Sequence, residues 1–285
     1  MVEIIAQYAF NGLVFGANYA LIGIGLTLIF GIMNVANFAH GQFYMLGGFL
    51  AYMLVAKLGL NYFVAIAVAV LIVAAFGWFL ERTVFVRLRD RSPMTGVLAT
   101  IGLAILLESG ALLTWGPQPE SIPNPFSPLP IEIGPLFITP MRLFVLGVTL
   151  VFLLGLYGFM NRTQTGTAMR ATFQNRDAAA LVGIDIDRLY AFTFALGAGL
   201  AALGGVLLGS LFLVHPTMGD NATLKAFIVV ILGGLGSVFG SAVGGLILGM
   251  AESFGTMVSS AWKDAIGFVL VIAILLYRPD GLFKR

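Results

Sequence analysis

The sequence predicts an all-α, polytopic membrane protein with about eight membrane-spanning helices. Three observations predict it. Of the 285 residues 59% are hydrophobic and only 10% charged, and the mean hydropathy is +1.00. The apolar runs also recur at about the 20-residue length that crosses a hydrocarbon core ~30 Å thick. A soluble domain of this size could not solvate so apolar a surface. No hydrophilic block is large enough for a globular unit, so residues 1–285 read as one membrane domain. Zero cysteines exclude a disulfide framework, thiolate metal sites and cysteine nucleophiles, and two histidines leave little for a histidine-based metal site. A formal charge of +2 gives no reason to expect a nucleic-acid partner.

The first span is 8–30. It is expected to stay in the mature chain, because "MVEIIAQYAF" has Glu3 and no Lys or Arg and so lacks the basic start of a cleavable signal. The stretch Asn34 to Gly48, "NVANFAHGQFYMLGG", then interrupts the apolar pattern with amide, imidazole and glycine groups. Such side chains can satisfy backbone groups freed at a helix break, so a broken or re-entrant segment is expected near 31–48. Spans follow at 41–57, 61–81 and 94–115, the last holding Glu108, an ionisable group inside a span and a functional candidate by default. Its short distance to Gly116 leaves a second reading, a side chain reaching the interface. Spans 141–160, 189–213 and 264–277 complete the plain ones. The tract Leu224 to Phe254 is too long for one simple span, and "VILGGLGSVFGSAVGGLILGM", Val230 to Met250, crowds glycines into its middle. Glycines in both tracts also suit close helix packing.

Sidedness follows from the cations, since short cytoplasmic loops collect Lys and Arg. Eleven of the fifteen fall in three groups: Arg82, Arg87, Arg89 and Arg91; Arg162, Arg170, Arg176 and Arg188; Arg278, Lys284 and Arg285. These segments are expected in the cytoplasm. Eight of the eleven prolines lie in 117–140, so the connection of about 116–140 is expected to be a stiff extracytoplasmic loop. Parity then requires 224–250 to enter and return, through a half-helix from about Leu224 to Leu232, a reversal at Gly233 to Gly240 and a second helix toward Glu252. Backbone broken at such depth lines a cavity or is buried in protein. Gly-Gly pairs follow the break in both tracts, which suggests corresponding positions in two repeated halves and a transport site between them.

The polar stretch Thr163 to Arg188, "TQTGTAMRATFQNRDAAALVGIDIDR", predicts a helix over about 168–183 at the inner face, ended by Gly183, with Asp185 or Asp187 capping the next span. An ordinary amphipathic interfacial helix is the plain alternative. No G-x-x-x-x-G-K-[ST], H-E-x-x-H or G-x-S-x-G motif occurs. ATP, if it drives transport, must be hydrolysed by another subunit.

"NFAHGQFYMLGG", "RATFQNRDAAALVGI", "PTMGDNATLKAFIVVILGGLGSVFGSAVGGLILGMAES" and "YRPDGLF" closely resemble the LivH-type permeases of branched-chain amino acid ABC transporters, in order and over essentially the whole chain. The resemblance implies a permease of the bacterial inner membrane, paired with a LivM-like second permease and surrounded by membrane lipid. It further implies two ATPase subunits that hold ATP and Mg, a periplasmic or lipid-anchored substrate-binding protein, and no cofactor on this chain. "DAAALVG" is similar to the family's E-A-A-x-x-x-G coupling motif: Asp177 stands where glutamate is usual, Ala178 and Ala179 match, and Gly183 lies four places on. The segment from Arg170 to Gly183 is thereby implied to dock on an ATPase. Asn34, Asn37, His40 and Gly41 are expected to hold the first break and line the path or its gate, with Gly233, Gly234 and Gly236 as the opposing element. His40 also reads as a simple helix cap. Urea, short amides and other amino acids remain alternative solutes, because the binding protein selects. A stand-alone secondary transporter would need intramembrane ionisable groups, of which Glu108 is nearly the sole candidate. An intramembrane enzyme would need a cluster that His40, His215 and Glu108 do not make.

Overall fold

The computed structural model describes residues 2–33, 36–89, 91–134, 136–259, 262–278 and 281–283. Among them, six helices are long and apolar enough to cross a membrane. These are α1 (Val2–Met33), α3 (Tyr62–Thr83), α4 (Pro93–Trp115), α5 (Pro140–Arg162), α8 (Ile186–Gly209) and α10 (Val238–Val258). Shorter helices complete the bundle: α2 (His40–Tyr52, prolonged by a wide turn to Lys57), α9 (Met218–Gly233) and α11 (Trp262–Tyr277). Where about eight spans were expected, the described residues hold six full-length helices and these three shorter ones.

Position in the bundle sorts the spans. α1 and α8 are buried on nearly all sides, whereas α3, α4 and α5 turn most of their apolar side chains outward. Leu113 of α4 is 87% exposed and Leu71 of α3 67%, as suits helices that face hydrocarbon. α1 runs antiparallel to α10, and glycines set the distance. A methyl group added at Gly16 would sit 2.8 Å from Leu246 Cα, and one at Gly12 2.9 Å from Met250 Cα. Gly245 and Gly249 face Ala20 and Gly16 with equally little room. This is small-residue packing at four-residue spacing. Farther along the same contact, the Thr27 and Ser241 hydroxyls meet at 2.5 Å.

The two ends of the bundle differ in chemistry. At one end, Gln7 exchanges two hydrogen bonds with the backbone of Phe137 (3.1 and 3.0 Å). Phe137 belongs to a hairpin of β1 (Ile131–Ile133) and β2 (Leu136–Ile138) within the Pro-rich connection. Glu120 of that connection also bridges to Val214. The start of α1 therefore lies with the Pro-rich loop. At the other end, Arg89 reaches Glu81 and Asp187 together, stacked 4.3 Å from the Tyr190 ring, with Arg176 over the same ring. Lys284 and Arg285 lie outside the described residues; Arg278 follows α11 at this arginine end.

Two sequence expectations need correction here. The stretch 168–183 is not one helix. α6 (Gln164–Gln174) stops at Asn175, whose side chain accepts a 2.9 Å bond from Ala178 N and so starts α7 (Arg176–Leu181). The N-cap geometry of Asn175 is extended, which interrupts the helix that propensity favoured. Gly183 does end this segment, at φ 88°, and Asp185 caps α8 through Arg188 N at 3.0 Å. The second correction concerns the reversal between α9 and α10. It occurs at Gly234 and Gly236, with φ 95° and 80°, but not at mid-depth. Leu282 N and Phe283 N donate to the carbonyls of Leu232 and Gly233, so Leu282 and Phe283 cover the turn at the arginine end. α9 reaches that end instead of turning back within the bundle.

Candidate translocation site

The break near 31–48 does lie inside the bundle. After α1 ends at Met33, α2 begins at His40, level with Ile22 and Gly25 of α1. His40 Nε2 bonds the Ile22 carbonyl at 3.0 Å, so that nitrogen carries the proton, and the ring is fully buried. Asn37 Oδ1 accepts from Ala39 N at 3.1 Å and closes the turn ahead of the helix. Asn34 lies outside the described residues. Asn37 thus satisfies backbone at the break, as its chemistry suggested, whereas His40 ties the start of α2 to the middle of α1.

What α2 meets is the start of α9. Gly41 has no room for a side chain, since a methyl group there would collide with the Gly219 carbonyl and with Thr223. Gly41 N donates to Thr223 Oγ1 at 3.0 Å, and Gln42 Nε2 donates to Asp220 Oδ1 at 3.0 Å. The Phe38 and Phe227 rings lie 4.9 Å apart. Two helices therefore begin within the bundle and pass each other antiparallel over their first turns. Gly233, Gly234 and Gly236 are not part of this junction. Gly233 packs on Gly240, about 15 Å farther along α9 than Thr223.

Beside the junction is a cavity of about 240 Å³ bounded by α1, the end of α8 and the first two turns of α9. Met218, Asn221, Ala222 and Lys225 line it from α9, a single face at helical spacing. Tyr19, Tyr44 and His215 supply further polar groups, against an apolar wall that includes Phe15 and Phe212. Asn37, His40 and Gly41 lie outside this lining.

Lys225 and Glu252 form an ion pair in the wall, 9% and 1% exposed. Tyr19 OH donates to the second carboxylate oxygen at 2.9 Å. The pair was missed in the sequence, although a signal existed. Lys225 is the sole Lys or Arg between Arg188 and Lys263, and Glu252 the sole acid between Asp220 and Asp264. Lone opposite charges in one apolar tract predict each other as partners, and the α9–α10 turn brings them together across 27 residues. Glu108, by contrast, is half-buried on outward-facing α4, between the exposed pairs Ile105–Leu106 and Leu112–Leu113. It does not line the cavity.

Arg170, Asp177, Ala178, Ala179 and Gly183 all lie on the α6–α7 segment at the arginine end. Leu181 and Val182 beside them are 89% and 77% exposed.

Comparison with known proteins places these features in context. A family model described as branched-chain amino acid transport system, permease component, matches residues 8–275. The chain is 36% identical to the high-affinity branched-chain amino acid transport system permease protein LivH of Salmonella typhimurium, over 98% of this chain and 95% of that one. It is equally similar, over the same shares, to the permease protein BraD of Pseudomonas aeruginosa. A probable branched-chain amino acid transport permease protein LivH of Methanocaldococcus jannaschii is 28% identical over 92% of this chain and 87% of that one.

Proposed function

Because the chain belongs to the branched-chain amino acid transport permease family, we propose that it is the membrane subunit of an ABC importer for branched-chain amino acids. The family is a transport subunit, not an enzyme. One observation carries the reading beyond the family. A bundle of apolar helices holds a recess with polar groups in its lining, beside the place where two helices begin inside the bundle, the arrangement expected of a solute path. Asn37, His40 and Gly41 hold the break that shapes this recess, and Gly233, Gly234 and Gly236 form the turn at the far end of α9.

In this reading the arginine end faces the cytoplasm and the Pro-rich connection faces outside. The start of α1 then lies on the outer side of the bacterial inner membrane. The exposed Leu181 and Val182 project from the α6–α7 segment as a knob for an ATPase groove. Arg170 and Asp177 set its charge and the small, exposed Ala178 allows close approach, while buried Ala179 packs the segment against the rest of the chain. Arg176 and Arg89 share Tyr190 with α8, which gives ATPase closure a contiguous route into the central helix. A second, LivM-like permease, two ATPases holding ATP and Mg, and a binding protein complete the importer.

The test is ATP hydrolysis by the complex purified with the proteins encoded beside it and reconstituted in lipid, with binding protein added empty or loaded with leucine, isoleucine, valine or urea. Stimulation by the loaded amino acid forms is expected; stimulation by urea alone would replace the solute. The buried Lys225–Glu252 pair also offers what an ion-coupled carrier requires. Uptake that needs a proton gradient and no ATP would favour that reading instead.

A further inference from the structure

We propose that the cavity between α1, α8 and α9 is a substrate subsite of the permease itself. Lys225 takes the carboxylate of a small zwitterionic solute there, while Phe15, Leu208 and Phe212 take its aliphatic side chain. The proposal rests on the reading of this chain as an amino acid permease and adds a defined stopping point along its path.

Stability does not account for the ion pair. A buried pair can generally be replaced by apolar residues of the same volume at no loss, because desolvation offsets the attraction. Yet this chain keeps a lysine and a glutamate buried in its apolar bundle. Their arrangement is lopsided in an informative way. Lys225 lines the cavity, whereas Glu252 does not; it lies behind the lysine, held by Tyr19. The pair therefore presents its cation to the cavity and keeps its anion in the wall. An ammonium is a multiple N–H donor, so a solute carboxylate reaching Lys225 from the cavity competes with Glu252 for the same cation. The cavity also receives the first turn of α9 through Met218, where the helix dipole has the same sign as the lysine.

Size and lining agree with this class of solute. About 240 Å³ corresponds to roughly eight water molecules, close to the heavy-atom content of valine or leucine. The lining combines polar groups, Lys225, Asn221 and His215, with aromatic and aliphatic ones, Phe15, Leu208 and Phe212. A branched-chain amino acid carries both kinds of group. Glu252 remains a competitor for the ammonium, so the solute is held weakly enough to leave.

The experiment measures leucine and leucinamide binding by saturation-transfer NMR to the permease complex in nanodiscs, without binding protein. Leucinamide keeps the ammonium and side chain and lacks the carboxylate. Wild type is expected to bind leucine at least tenfold better than leucinamide. The double variant Lys225→Met with Glu252→Gln, which leaves no stranded charge, is expected to lose that preference, and Lys225→Arg to keep it. Ala222→Leu fills the cavity while leaving the ion pair in place, and should lose leucine binding as well. Leucine binding undiminished in the double variant or in Ala222→Leu overturns the proposal. Import by the wild-type complex is measured in parallel. A complex that imports leucine but whose site variants still bind it refutes the site alone, and one that imports no branched-chain amino acid refutes the underlying reading and the site together.

Discussion

Replacing one glycine by alanine should have opposite effects at two positions of this bundle. At Gly16 a methyl group would lie 2.8 Å from Leu246 Cα, about 0.6 Å short of ordinary contact, and the neighbour is backbone. α1 and α10 must part to admit it. A close-packed side chain makes about 40–60 atomic contacts of ~0.1–0.2 kcal/mol each, and a gap of about 0.5–1 Å forfeits a quarter to a half of each. Parting the helices over even one side chain's worth of contacts costs about 2 kcal/mol. Alanine returns about 1 kcal/mol of helix propensity, leaving Gly16→Ala destabilised by about 1 kcal/mol, and by more where several side chains lose contact. At Gly147 of α5 nothing lies within 4 Å of the added methyl, so Gly147→Ala should gain up to about 1 kcal/mol. Reversible unfolding of the full chain in mixed micelles, titrated with denaturing detergent, reads the difference. Equal stability changes of the same sign would refute the argument that the α1–α10 distance is set by backbone contact at glycine.

Four further outcomes follow from the buried charges and the turns. Glu252→Leu takes the paired carboxylate from buried Lys225 and should cost about 3–5 kcal/mol; adding Lys225→Met should restore most of it in the same unfolding assay. Arg89→Ala leaves Glu81, fully buried, without its cation, a loss of similar size, visible as a lowered melting temperature. Asn175→Ala removes the cap of α7 and should cost about 1 kcal/mol locally, read as faster amide hydrogen exchange at Ala178 with the rest of the bundle unchanged. Gly234→Leu places a side chain at φ 95° and should destabilise the α9–α10 turn by about 1–2 kcal/mol. Uptake would then fall in proportion to folded protein, whereas a fall in uptake per folded complex would place Gly234 in the path itself.

Span positions were legible because they depend on length and polarity alone. The bounds of α3, α4, α5 and α11 agree within two residues with those the apolar runs suggested, since a helix in hydrocarbon must satisfy its backbone along its own length. Caps at Asp185 and Gly183 were legible for the same local reason. The path of 224–250 was not, because parity counts ends and says nothing of depth. The reversal expected within Gly233 to Gly240 occurs at Gly234 and Gly236, but parity could not show that α9 begins inside the bundle and turns at its edge.

The harder distinction is between spans that form the centre and spans that face lipid, and here composition carries almost no information. α1 and α4 are both mainly apolar, and both contain glycines. Gly12 and Gly16 of α1 meet backbone, while Gly102 and Gly110 of α4 meet nothing within 4 Å. A small residue is therefore a signal only when a second helix presents small residues at matching spacing, as Gly245 and Gly249 do for α1. The same logic governs charge. Glu108 stood out as a lone acid and proved to lie on the outward-facing helix, whereas Lys225 and Glu252 became informative only as a pair. In a bundle whose apolar positions are chemically alike, it is matched exceptions on two segments, glycine with glycine and cation with anion, that record which helices touch. Both kinds of exception converge on α1, α9 and α10, of which α1 and α9 line the cavity.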